Sequence, residues 1–170
     1  MIHRDSKILD REDREELWAF YQATLGPLNE LSPLAQTLDK RRFMSWLSSS
    51  RAMKYTLRED GLLIGLLIVS SDLRHDPLIS RPYFEKHYPG KRIFHCPAIA
   101  IHPDWRDGRG IKFLANAFAE MPKGSMALFF HSEGENPLVP KFASVAARGR
   151  FTVNKCDAIA CCICTEEGTK

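Results

Sequence analysis

The feature that most constrains this chain is a pair of apolar stretches hinged at Asp60-Gly61. Residues 53–59 alternate in polarity, as a strand with one covered face does. Residues 62–69, L-L-I-G-L-L-I-V, read as a buried-type strand. An Asp-Gly pair suits the positive φ angles that a two-residue hairpin turn demands. The first half of the chain is therefore predicted to hold an antiparallel hairpin.

Helices precede the hairpin. Asp10 is placed to cap one whose first turn is acidic through Glu12 and Asp13, as the helix dipole favours. Leu17, Tyr21 and Leu25 repeat at four, and Gly26-Pro27 ends the run. Residues 27–38 read as a loop or broken helix. Asp39 then caps a short helix carrying Phe43, Met44 and Leu47. A short strand is expected within residues 1–9, where Ile8-Leu9 is the apolar pair.

After the hairpin, residues 71–91 contain three prolines with Tyr83, Phe84, His87 and Tyr88, and read as an insertion or flap between the third and fourth strands. The fourth strand, I-F-H-C-P-A-I-A-I at 93–101, has Pro97 inside it. Proline cannot donate to a ladder, so the position must be an edge or a bulge. A helix from about residue 110 to 121 has Ile111, Leu114, Phe118 and Met121 on one face. A fifth strand at 126–131 and a turn S-E-G-E-N-P lead to a helix capped by Asn136, and one or two strands finish the chain between 150 and 165.

Composition narrows the class. The 170 residues fit a single domain spanning 1–170, with 44% apolar and 26% charged residues, which excludes fibrous, disordered and coiled-coil proteins. The 62–69 run is far short of the ~20 residues a membrane span needs. Residues 1–16 lack an apolar signal core, so the expectation is a cytoplasmic protein with no membrane partner. A net charge of +3 is mild, and Lys40-Arg41-Arg42 reads as the solvated first turn of a helix, so nucleic acid is not expected as a partner. Cys161 and Cys164 spell C-x-x-C inside a strand-like run. Residues three apart on a strand point to opposite faces, so no metal is expected.

The chemistry concentrates in W-R-D-G-R-G-I-K, residues 105–112, a strand-to-helix turn with glycines at 108 and 110. Glycines let backbone approach a ligand, and the helix start adds a positive end, a combination suited to a phosphate or pyrophosphate. Arg106, Arg109 and Lys112 reinforce the sign. A P-loop would need Gly-Lys-Ser/Thr at the helix start, which Ile111-Lys112-Phe113 does not supply. A dinucleotide fingerprint fails at its third glycine, where Phe113 stands, and the antiparallel hairpin upstream suits neither.

The stretch A-I-H-P-D-W-R-D-G-R-G-I-K-F-L resembles motif A of the GNAT superfamily, the acetyl-CoA-dependent N-acetyltransferases, whose pattern at this turn is [R/Q]-x-x-G-x-[G/A]. Trp105 holds the Arg/Gln position in strict register, and Arg106 does so if Asp107 is an inserted residue. The order of elements from about Ile8 to Thr165 resembles that fold as well. The resemblance implies a mixed, mostly antiparallel α/β (α+β) sheet of six to seven strands, flanked by about four helices, with the fourth and fifth strands splayed. It implies acetyl-CoA as co-substrate, held by Ile99, Ala100 and Ile101 on the fourth strand, by Arg106, Asp107, Gly108, Arg109, Gly110, Ile111 and Lys112 at the turn, and by Asn136 after the fifth strand. No tyrosine stands near residues 142–144, where many members carry a general acid.

Under that reading an amine acceptor attacks the thioester directly, and the protein orients, deprotonates and stabilises an oxyanion. His95 on the fourth strand and His131 ending the fifth are the candidate bases; Cys96 is a less favoured nucleophile. A homodimer is the assembly entertained. The alternative is a non-catalytic acyl-CoA-binding or regulatory module on the same fold, and a further one is a phosphate-binding interaction domain.

Overall fold

The computed structural model describes residues 1–31, 37–73, 79–106, 108–130, 151–155 and 160–165. Strands β1 (Ile2–Asp5), β2 (Ala52–Glu59), β3 (Leu62–Ser70), β4 (Ile93–Ile101), β5 (Met126–Phe130), β6 (Phe151–Lys155) and β7 (Ala160–Thr165) form one sheet in the order β1-β2-β3-β4-β5-β7-β6. Among the described residues only the β4–β5 pairing is parallel. The helices are α1 (Arg11–Leu25), the single turn α2 (Leu28–Leu31), α3 (Lys40–Ser48), α4 (Arg81–His87) and α5 (Arg109–Ala119).

The hairpin forms where the sequence places it: Asp60 and Gly61 take φ of 50° and 80° and join β2 to β3. The caps also form. The Asp10 carboxylate accepts from the amides of Glu12 (2.9 Å) and Asp13 (3.0 Å), and Asp39 accepts from Arg42 (2.8 Å).

The helices cover the sheet on both faces. On one, α5 buries Ile111, Phe113, Leu114 and Phe118 against Tyr55, Leu67 and Val69. On the other, α1 and α3 bury Leu17, Tyr21, Phe43 and Leu47 against Leu66, Ile68, Ala98 and Ala100. Beside that second layer, Phe84 and Tyr88 of the α4 segment pack on Ile79, Ile93, Met126 and Leu128. The 71–91 segment thus contributes a short helix that packs, without a fully buried residue, against this cluster.

The first strand forms within residues 1–9, as expected, but not at the apolar pair. It lies at Ile2–Asp5, ahead of the Ile8-Leu9 pair, and all four of its residues are exposed. Ile8 instead packs under α1 and α3, while Leu9 faces solvent. An edge strand with no covered face carries no apolar alternation, which is why the apolar pair misled.

One buried charge ties this end of the molecule together. Lys54 on β2 is wholly buried, and its ammonium donates to the carbonyls of Ser6 (2.7 Å), Ser49 (2.5 Å) and Ala52 (2.9 Å). Ser49 is the C-cap of α3, where a cation complements the helix dipole. Burial lowers the Lys54 pKa to about 8.

Candidate active site

The site is built around an irregularity in β4. Gly65, Leu66, Leu67 and Ile68 of β3 face Ile101, Ala100, Ile99 and Ala98 in regular antiparallel register, but Ser70 faces His95. Two residues of β4, Cys96 and Pro97, therefore stand opposite one of β3: a β-bulge at the proline, as its missing N–H requires. The bulge exchanges the faces of the strand. Before it, Phe94 and Cys96 point to the α5 layer; beyond it, Ile99 and Ile101 do.

The same point is where β4 and β5 part. Their parallel ladder joins Ile93, Phe94 and His95 to Met126, Ala127 and Leu128. Beyond His95 no pairing with β5 exists among the described residues, so the backbone edge of Cys96–Ile101 opens onto a wedge between the two strands.

At the far end of that wedge β4 runs into a 3-10 turn, Pro103–Trp105, capped by the His102 side chain accepting from the Asp104 amide (3.3 Å). Gly108 has φ of 117°, a conformation L side chains rarely adopt, with open space where a Cβ would be. Lys112 donates to the Gly108 carbonyl (3.0 Å) as the first rung of α5, so the amides of Gly110 and Ile111 lie ahead of the helical ladder. Gly110 is needed for a different reason. A Cβ there would stand 2.5 Å from Ile101 Cγ2 and 3.1 Å from the Trp105 carbonyl oxygen, so its absence lets α5 sit close against β4.

The cations of the turn are unequal. The Arg106 side chain is turned back: its Nε donates to the Ile101 carbonyl (3.2 Å), and burial lowers its pKa. Arg109 stacks its guanidinium 3.6 Å over the Trp105 ring centroid and reaches Glu59 at 3.4 Å. Lys112 is exposed and ion-pairs with no described carboxylate. The Trp105–Arg109 platform escaped the sequence reading, although the i, i+4 spacing of an aromatic and a guanidinium across a turn was its available signal.

The sequence-predicted residues divide into groups. Ile99, Ala100, Ile101, Arg106, Gly108, Arg109, Gly110, Ile111 and Lys112 gather at the open end of the wedge. Ala100 packs on the α1 side and is fully buried, so it offers only backbone to the wedge. His95 lies at the vertex, 4% exposed, on the face shared by Ile93 and Leu128 and opposite α5. Cys96 faces the α5 core, and burial pushes its thiol far up, away from a nucleophilic thiolate. Asp107, His131 and Asn136 lie outside the described residues. Among the described residues no group of three or more His, Cys, Asp or Glu side chains could hold a metal ion, and no helix is long and apolar enough to cross a membrane.

No family model matches the sequence, and no curated protein does. Solved structures do match in fold. A proposed acetyltransferase of Salmonella typhimurium, solved with its cofactor acetyl-CoA, superposes with a TM-score of 0.58 at 13% identity over 100% of this chain and 96% of its own. An N-acetyltransferase of Campylobacter jejuni in complex with acetyl coenzyme A gives 0.52 at 11%, covering 99% and 100%. A proposed GNAT-family acetyltransferase of Bacteroides thetaiotaomicron gives 0.56 at 10%, covering 98% and 88%. With strands that part at a proline bulge and a glycine turn opening the helix at the end of the gap, the chain has the fold of the GNAT acetyltransferases.

Proposed function

We propose that this protein is an N-acetyltransferase that moves an acetyl group from acetyl-CoA to a primary amine by direct attack on the thioester. The observation that carries the reading is the β4–β5 wedge, closed at His95 and open at the Gly108 turn. The amides of Gly110 and Ile111 at the positive end of α5, together with Lys112, suit the pyrophosphate of CoA. The unpaired edge of Cys96–Ile101 suits a pantetheine arm, which carries amides that need partners. His95 is the proposed base. It stands at the vertex, where the thioester would arrive, and an imidazole nitrogen can accept the proton of an attacking ammonium. Backbone donors freed by the bulge would stabilise the developing oxyanion.

The closed core gives the protein room for positioning and little for covalent catalysis, since Cys96 is buried away from thiolate chemistry. Calorimetry with acetyl-CoA, followed by thiol release across a panel of primary amines, tests the reading. Binding with amine-dependent thiol release is expected. Binding without transfer to any amine would favour the non-catalytic acyl-CoA module, and no binding at millimolar acetyl-CoA would remove the assignment.

A further inference from the structure

A second concavity lies at the closed end of the wedge. It measures about 530 Å³, within the range of small-molecule sites, and opens between α4, the residues after β3 and the start of β4. Phe84, Leu73 and Ile93 give it an apolar floor continuous with the α4 cluster. Its rim is charged: Arg51, Arg81 and Lys91 against Asp72 and Glu85, three cations to two carboxylates.

Those charges are not symmetrically presented. Asp72 accepts from Arg51 at 2.8 Å, and its side chain is only 9% exposed, whereas that of Arg51 is 60% exposed. Glu85 accepts from Arg81 at 2.9 Å along α4, and there both side chains are exposed, 52% for Arg81 and 65% for Glu85, so only the Arg51–Asp72 pair buries its carboxylate. A guanidinium has five N–H donors, and one carboxylate engages at most two of them. The cleft thus offers solvent-facing donors from two guanidinium groups, while its deeper carboxylate is already neutralised. Such a rim favours an anion, and a planar carboxylate fits a guanidinium fork best.

Its position ties it to the reaction. Ile93 lines the cleft and shares a strand face with His95, two residues on. A strand advances about 3.3 Å per residue, so roughly 7 Å separates these positions. Ser70 links the two as well. It is the ladder partner of His95, and its hydroxyl accepts from the Asp72 amide at 3.0 Å.

We infer that this cleft is the acceptor subsite, and that the acceptor is a small amine bearing a carboxylate, of the size of an amino acid or short peptide. The inference rests on the transferase reading above. Arg51 and Arg81 hold the carboxylate at the rim, the apolar floor takes the carbon skeleton, and the amine is delivered toward His95. Nothing in the turn that would hold CoA takes part, so acceptor and donor are read by opposite ends of β4.

The test compares amino acids with their amides as acceptors, with thiol release as readout, in the wild type and in Arg81→Gln and Arg51→Gln/Arg81→Gln. These side chains are exposed, and thermal melts confirm folding. The wild type is expected to prefer the carboxylates by at least about tenfold in kcat/KM. The variants should lose that preference through a higher acceptor KM, with kcat and the acetyl-CoA KM unchanged. Equal use of amides by the wild type, or a preference that survives the double variant, overturns the inference while leaving the transferase intact. If no amine is acetylated, the transferase reading falls by itself. Calorimetry of amino acid against amide then decides the cleft, and equal or absent binding overturns it.

Discussion

Replacing Lys54 by methionine sets two large effects against each other. The ammonium is wholly buried, and burial brings its pKa from 10.5 to about 8. At about 1.4 kcal/mol per pKa unit, the folded state penalises the charged form by about 3 kcal/mol. Methionine removes that penalty. It also leaves the carbonyls of Ser6, Ser49 and Ala52 without their donor, and each orphaned buried acceptor costs about 1–3 kcal/mol. The losses exceed the gain, so Lys54→Met should lower stability at pH 7 by about 2–3 kcal/mol. The pH dependence is a second signature. Between pH 8 and 10.5 the unfolded chain keeps a proton on this lysine that the folded chain has released, so the wild type gains stability from this group as pH rises through that window. Below pH 8 both states are protonated and the contribution is flat. The stability difference between wild type and variant should therefore widen by about 3 kcal/mol from pH 8 to pH 10.5. Urea unfolding followed by tryptophan fluorescence at several pH values measures both. A variant as stable as wild type at pH 7 would show that the three carbonyls do not depend on Lys54. A difference that stays constant with pH would refute the burial argument.

Three further outcomes follow from the site. Gly110→Ala places a methyl 2.5 Å from Ile101 Cγ2, on a β-branched side chain that cannot swing aside, and should cost about 1–2 kcal/mol in chemical denaturation despite alanine's better helix propensity; unchanged stability would refute close α5–β4 packing. His95→Gln should cut kcat at least about tenfold with the acetyl-CoA KM unchanged and should abolish the acidic limb of the pH–rate profile; retention of that limb removes His95 as base. Trp105→Ala removes the platform under Arg109 and should raise the acetyl-CoA KM about threefold to tenfold at constant kcat, in line with the worth of a cation–π contact; an unchanged KM would detach that pair from the donor site.

What the sequence disclosed depended on whether the physics was local. Asp60-Gly61, the Asp10 and Asp39 caps and the apolar face of α5 act within a few residues, and each formed as read. Pro97 announced the bulge because a missing N–H is a property of one residue. Legibility failed where contacts are distant. Nothing in A-M-K-Y-T foretells that Lys54 closes on carbonyls from residues 6 and 49, and the Arg51–Asp72 pair joins positions 21 apart. The two purposes of the glycines were also hidden. Only the backbone angle at Gly108 and the neighbouring Ile101 methyl at Gly110 separate a conformational need from a packing need.

The bulge also makes β4 a strand with a spare residue. Without Pro97 the segment would read I-F-H-C-A-I-A-I, and the side chains that now face α5 on both sides of the bulge would fall on one uninterrupted alternation. Ile93, His95, Ala98 and Ala100 would do the same on the opposite face. Every core contact of the strand is thus compatible with the shorter chain, and β4 could then run straight alongside β5. The bulge therefore owes nothing to the side-chain packing of β4, and removing its extra residue would take away the irregularity at which β4 leaves β5. The extra residue thus serves the parting of the two strands and not the core that β4 helps to build.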